Sequence, residues 1–293
     1  MKKSKGRIFF EIYNYSILVS MAALCLFPMI HVLAVSFSSG SAAAAGWVSL
    51  WPVDFTLSSY TFVLEKADFI SSLMVSFQRL FWGLIASLTI TIITAYPLSK
   101  GKRDLRIRGI YIWVFIFTML FNGGLIPTYM IIKETGLLDS IGALVIPCAV
   151  NVYFIILLMN FFKNIPKSLE EAAFIDGAGH WTTLFKIYLP LSLPALATIT
   201  LFISVFHWNS WFDGLIYMNR PENYPLSSFL QTVVIQRDLT FITDTREIEM
   251  LSKVDGKTVK SAQIFLGALP ILAVYPFLQR YFVKGITLGS VKG

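Results

Sequence analysis

The side chains that could do chemistry in this chain are few and scattered. Its three histidines, His31, His180 and His207, stand far apart, and no His-x-x-x-His or Cys-x-x-Cys spacing offers a zinc site. The two cysteines, Cys25 and Cys148, lie inside apolar stretches, where small packing residues are expected rather than a disulfide or metal pair. No Gly-x4-Gly-Lys-Ser/Thr loop is present to cradle a nucleotide. Ser38–Ser41 and the other serines lack a Gly-x-Ser-x-Gly setting for a nucleophile. His180 reads as a surface residue, and His207 as a packing or hydrogen-bonding group beside two tryptophans. What remains is polarity inside apolar runs. Asn209 and Asp213 are four apart and would share one face of a helix. Asn122, Gly123 and Gly124, with Pro127, interrupt another apolar run.

Composition explains why such residues matter. Hydrophobic residues make up 56% of the 293, charged residues 14%, and the mean hydropathy is +0.68, which puts the chain in a bilayer. The net charge of +7 could suggest nucleic acid, but its distribution along the chain argues for topology instead. Polar groups at membrane depth face a bundle interior or an aqueous path, since facing lipid costs several kcal/mol. Unwound backbone there needs protein or a water-filled cavity to satisfy it.

Hydropathy predicts one all-α membrane domain over 1–293, with six spans at about 8–37, 72–98, 109–132, 141–162, 191–218 and 262–283. Lys2, Lys3, Lys5 and Arg7 precede the first span, and Lys100, Lys102, Arg103, Arg106 and Arg108 follow the second. With both termini cytoplasmic, fifteen Lys or Arg residues fall inside and eight outside, Arg79 lying within the second span. A cleavable signal peptide is the alternative for the N-terminus, although its apolar run is long for one. Within the long polar stretch after the fifth span, 226–235 suggests a short surface helix.

The fourth and fifth spans flank a polar, helix-prone loop, 163–190. Glu170, Glu171, Ala172 and Ala173 favour helix, Asp176-Gly177-Ala178-Gly179 ends it, and a second amphipathic run reaches Ile187, Leu189 and Pro190. Such a helix-turn-helix could be an ordinary connection or could dock into a groove on another protein. Glu171-Ala172-Ala173, Gly177, Ile187 and Leu189-Pro190 together resemble the EAA loop of ABC importer permeases. Ala268-Leu269-Pro270-Ile271 and the stretch from Lys284 to Gly293 are similar to the end of maltose-type, carbohydrate-uptake permeases. Phe121–Gly136, Trp208–Gly214 and Tyr275–Lys284 are more like the subgroup serving complex saccharides, including the alginate importer.

The resemblance implies a coupling helix that sits in a cleft of a cytoplasmic ATPase. It implies that Glu171 pairs with a basic residue there, and that Gly285, Thr287, Gly289, Lys292 and Gly293 reach the ATPase dimer interface. The implied partners are a second homologous permease, two ATP-binding subunits, an extracytoplasmic solute-binding protein, a saccharide and membrane lipid. ATP and Mg would belong to the ATPase subunits, leaving no cofactor and no covalent catalysis in this chain, in a bacterial inner membrane. On this view Asn122, Gly123, Gly124, Trp208, Asn209, Trp211 and Asp213 are candidates for the substrate path. The tryptophans either stack on sugar rings or mark the outer interface. An ion-gradient-driven secondary transporter is the alternative; it needs buried carboxylates along a path, and the spans offer little beyond Asp213. A membrane enzyme would need a metal or nucleophile constellation, which the sequence lacks.

Overall fold

Long apolar runs form two uninterrupted spans of the computed structural model, which describes residues 4–101, 105–235 and 255–290. Helix α1 covers Lys5–Ser36, and α4 covers Ala67–Ser99. Both are long and apolar enough to cross a membrane, and counting two sharply bent helix pairs as spans raises the number to four among the described residues. Ser4 caps α1 by accepting a hydrogen bond from the Arg7 amide. Phe9, Leu24 and most other large apolar side chains of α1 are exposed, so lipid or another chain must cover them. Every described element is helical or irregular; no strand occurs among them.

The chain forms two compact units, Met1–Ile70 with Leu230–Leu269, and Ser71–Phe229 with Pro270–Gly293. In the first, the end of α1 packs on α2 (Gly40–Ala44) through Ala34, Val35, Ala42, Ala43 and Val48, ahead of α3 (Ser58–Glu65). Ser38 ties that corner, its hydroxyl donating to the Ala34 carbonyl and accepting from the Val53 amide.

The second unit carries the site. A buried core joins the last turns of α4 (Ala95, Leu98) to α8 (Val152–Lys163; Ile155, Leu158, Phe162) and α12 (Leu193–Asn209; Ile199, Ile203). Small and polar residues, Ser72, Ser76, Arg79, Gly83, Ser87 and Thr91, recur along α4 at three- or four-residue spacing, and all are buried. Gly83 permits the closest approach: a Cβ there would lie 2.5 Å from Nε2 of the buried His207 on α12.

Three predicted spans are not single straight helices. The third divides into α5 (Arg108–Leu120) and α6 (Leu125–Glu134), bent by 112° where Gly124 takes φ 92° and the Asn122 side chain accepts from its amide. The fourth divides into α7 (Ile141–Val145) and α8, whose start is capped by Asn151 accepting from the Tyr153 and Phe154 amides. The fifth ends α12 at Asn209 and resumes as α13 (Phe212–Tyr217). A helix, α14 (Leu226–Ile235), stands where the surface helix was expected, but Leu226 and Ser228 are buried, and α15 (Gly256–Ser290) extends the sixth span at both ends.

Candidate functional site

Residues 163–190 fold as two helical pieces joined by a tight turn. Helix α9 (Lys167–Ile175) ends in a glycine cap: the Gly177 amide donates to the Phe174 carbonyl and the Ala178 amide to that of Ala173. That arrangement requires a left-handed residue, and Gly177 supplies it at φ 81°. The chain re-enters helix as α10 (His180–Thr183), passes through a π-helical turn at Leu184–Tyr188 and continues as α11 (Leu189–Leu191). Across Ser192 it bends by 81° into α12.

No residue of α9 is buried. Glu171 and Asp176 are exposed, as are Leu169, Phe174, Trp181, Phe185 and, at 86%, Ile175. Lys167 and Lys186 are exposed as well, so the outer surface of this hairpin mixes apolar side chains with both charges, suited to another protein's surface. Glu170 departs from the expectation that it lies on that face. Its carboxylate turns inward, accepting from Lys100 Nζ at 2.6 Å and from the Tyr188 hydroxyl at 2.7 Å. Burial, and then the Glu170 carboxylate, push the Tyr188 phenol up. An open cavity of about 1130 Å³ runs between this segment and the end of α4, with Arg108, Lys163, Glu171 and Trp181 in its lining. Burial, and then the nearby Arg108, push the Lys163 ammonium down.

At the break in the fifth span, the sequence reading needs correction. Asn209 and Asp213 do not share a helical face, because the helix stops between them. Asp213 instead pairs with Arg79 of α4, whose guanidinium is fully buried and donates also to the Ser210 carbonyl at 2.9 Å. Ser227 donates to the same carbonyl at 2.7 Å, so side chains satisfy backbone that helix leaves open, and Ser228 donates at 2.7 Å to the Trp211 carbonyl, which also accepts from the Leu215 amide. Gly214 accommodates this bracing, since a Cβ there would lie 2.1 Å from the Ser228 hydroxyl. Trp208 is buried edge-on to Phe77 and is not available to stack on a ligand. Asn209, Trp211, Asn122, Gly123 and Gly124 remain exposed. Sequence reasoning placed Arg79 in a span without a partner; an arginine at membrane depth was itself the signal that a carboxylate should be sought.

The two ends of this unit are distinct. Lys100 and the 163–190 segment meet at one; at the other, Ser71 donates to the Glu222 carbonyl and Asp139 accepts from the Asn219 amide and Asn223 side chain. Gly285, Thr287 and Gly289 lie on α15, whereas Lys292 and Gly293 fall outside the described residues.

Apolar helices exposed along their length, broken spans braced by polar side chains and an exposed charged and apolar hairpin define a multi-pass membrane protein. Over residues 109–288 the chain matches, and belongs to, the family described as binding-protein-dependent transport system inner membrane component. It is 40% identical to the polygalacturonan/rhamnogalacturonan transport system permease protein YtcP of Bacillus subtilis (strain 168), over 99% of this chain and 100% of that one. It is 38% identical to protein LplC of the same organism, over 100% of this chain and 98% of that one. Its fold is similar to a chain in the crystal structure of a bacterial ABC transporter involved in the import of the acidic polysaccharide alginate. The TM-score is 0.87 at 34% identity, covering 96% of this chain and 99% of that one.

Proposed function

We propose that the chain forms half of the substrate path of an ATP-driven, binding-protein-dependent importer, and that its cargo is an oligosaccharide rich in uronic acid. The cargo class rests on the relatives: one is named for polygalacturonan and rhamnogalacturonan, and the similar structure belongs to an alginate importer. Both are acidic saccharides. The partners are a second permease subunit, two ATPase subunits and an extracytoplasmic binding protein, assembled in a bacterial inner membrane.

One observation carries the coupling role: the hairpin 167–191 exposes Glu171 and Ile175 on α9 and Trp181 on α10, with no apolar side chain of α9 buried in its own chain. In this reading Glu171, Ala172, Ala173, Asp176 and Gly177 form the ATPase contact. Ile187, Leu189 and Pro190 lead back into the fifth span, and the tail through Gly285, Thr287, Gly289, Lys292 and Gly293 follows. The secondary-transporter alternative loses support, because the carboxylate it would use, Asp213, is already neutralised by Arg79. Six spans with both ends cytoplasmic complete the reading, placing Lys100 and α9 inside and Asp139 outside.

The test is co-purification. A tagged chain should carry its ATPase subunits, and Glu171→Lys should lose them while the chain still inserts. Full retention in that variant, together with labelling of a cysteine at position 167 from outside intact cells, would overturn the assignment.

A further inference from the structure

Lys100 stands one residue beyond the end of α4, where a cation at a membrane surface is ordinarily explained by topology alone. Its surroundings say more. The ammonium lies 4.0 Å from the centre of the Tyr96 ring and 4.1 Å from that of Tyr188, and 2.6 Å from Glu170 Oε1. The two rings meet edge to face at 5.1 Å, and Phe162 of α8 packs edge-on against both. Tyr188 closes the box by donating to the second carboxylate oxygen of Glu170. Only 9% of the Lys100 side chain and 14% of the Glu170 side chain remain exposed. The Tyr96 hydroxyl meets His180 Nδ1 at 3.3 Å, so α10 is tied to the same point.

We infer that Lys100 is a positioning residue for energy coupling: caged by Tyr96, Tyr188 and Glu170, it fastens α9 to the second span. This rests on the reading above that α9 contacts the ATPase. The large apolar side chains of α9, Leu169, Phe174 and Ile175, are exposed, so apolar burial does not hold it, and Glu170 is its polar anchor to the bundle. A displacement imposed on α9 is then passed to α4 through a desolvated cation with directional partners, rather than through a compliant loop. The aromatic rings make the arrangement chemically asymmetric. Their faces are negative, so they accept a cation and repel a carboxylate. A caged lysine therefore differs from an ordinary ion pair in one measurable respect: exchanging the charges should not restore it.

The experiment uses the full transporter, this chain with its partner permease and ATPase subunits, reconstituted with binding protein and galacturonate or alginate oligosaccharides. Lys100→Met and Glu170→Gln should keep the ATPase attached, yet lose roughly tenfold of the saccharide-stimulated rise in hydrolysis, within the usual range of coupling between sites. Lys100→Arg, which keeps a cation able to stack on the rings, should retain most of it. The exchange Lys100→Glu with Glu170→Lys should remain uncoupled. Normal stimulation in Lys100→Met, or rescue by the exchange, would overturn the caged-cation proposal. If Lys100→Met fails to insert, Tyr188→Phe carries the test, because it removes one hydroxyl and keeps the ring; unaltered stimulation there would also overturn it. Glu171→Lys reports separately: if that variant keeps its ATPase, the docking assignment of α9 fails, whatever the cage variants do.

Discussion

Replacing Asp213 by Asn removes one charge and little volume, and the effect follows from what it leaves behind. Arg79 is fully buried, and Nε has no hydrogen-bond partner among the described residues. Without the carboxylate, its positive charge would rest on the Ser210 carbonyl and a neutral amide. Removing one member of a buried pair costs about 3–5 kcal/mol, because the other stays desolvated and uncompensated. Replacing both by apolar residues costs much less. Cys148, half-buried in the same compact unit, gives a local probe. In a Cys25→Ala background, its modification by a thiol reagent should proceed through local opening. At 1.4 kcal/mol per factor of ten, Asp213→Asn should raise that rate roughly a hundredfold to several thousandfold. The double variant Arg79→Met, Asp213→Leu should return most of the way. Equal rates in the original and both variants would refute the view that this pair holds the break between α12 and α13.

Gly177→Ala should destabilise the hairpin by about 1 kcal/mol through its positive φ, and Gly177→Asn by less, since asparagine tolerates that region; amide exchange of Ala178 would read both. Gly83→Ala should cost about 1–3 kcal/mol, measured as thermal stability in detergent, because its methyl meets His207 at 2.5 Å; added to His207→Ala it should cost almost nothing. Asp139 is held below the usual carboxylate range by the Asn223 side chain first, and then by the Asn219 and Arg220 amides and the Arg220 charge. Its folded value is depressed, so its contribution is present at neutral pH and lost as pH falls below the ordinary carboxylate value. Protection of the Asn219 amide against hydrogen exchange should fall over that acidic range, and in Asp139→Ala it should already be low at pH 7.

Elements governed by local signals were legible in the sequence. Apolar length located α1 and α4, the mixture at Leu226–Ile235 gave α14, and Glu171-Ala172-Ala173 with Gly177 gave the hairpin and its turn. Asn122-Gly123-Gly124 announced an interruption, although not a reversal of 112°. Pro147 and Asn151 mark the break in the fourth span, and that signal was passed over. The break after Asn209 carries no glycine or proline at all. It exists because Arg79 and Ser227 satisfy the Ser210 carbonyl that a continuous helix would have used, partners that no window of local sequence contains. The cage was hidden for the same reason: Lys100 and Glu170 are 70 residues apart, and a π-helical turn sets the position of Tyr188.

The most direct measurement is uptake into proteoliposomes holding this chain with its partner permease and ATPase subunits, given binding protein loaded with galacturonate or alginate oligosaccharides. The account predicts accumulation that requires ATP inside the ATPase-facing compartment, survives collapse of proton and sodium gradients, and disappears in Glu171→Lys. Accumulation that proceeds without ATP and stops when an ion gradient is collapsed would contradict it.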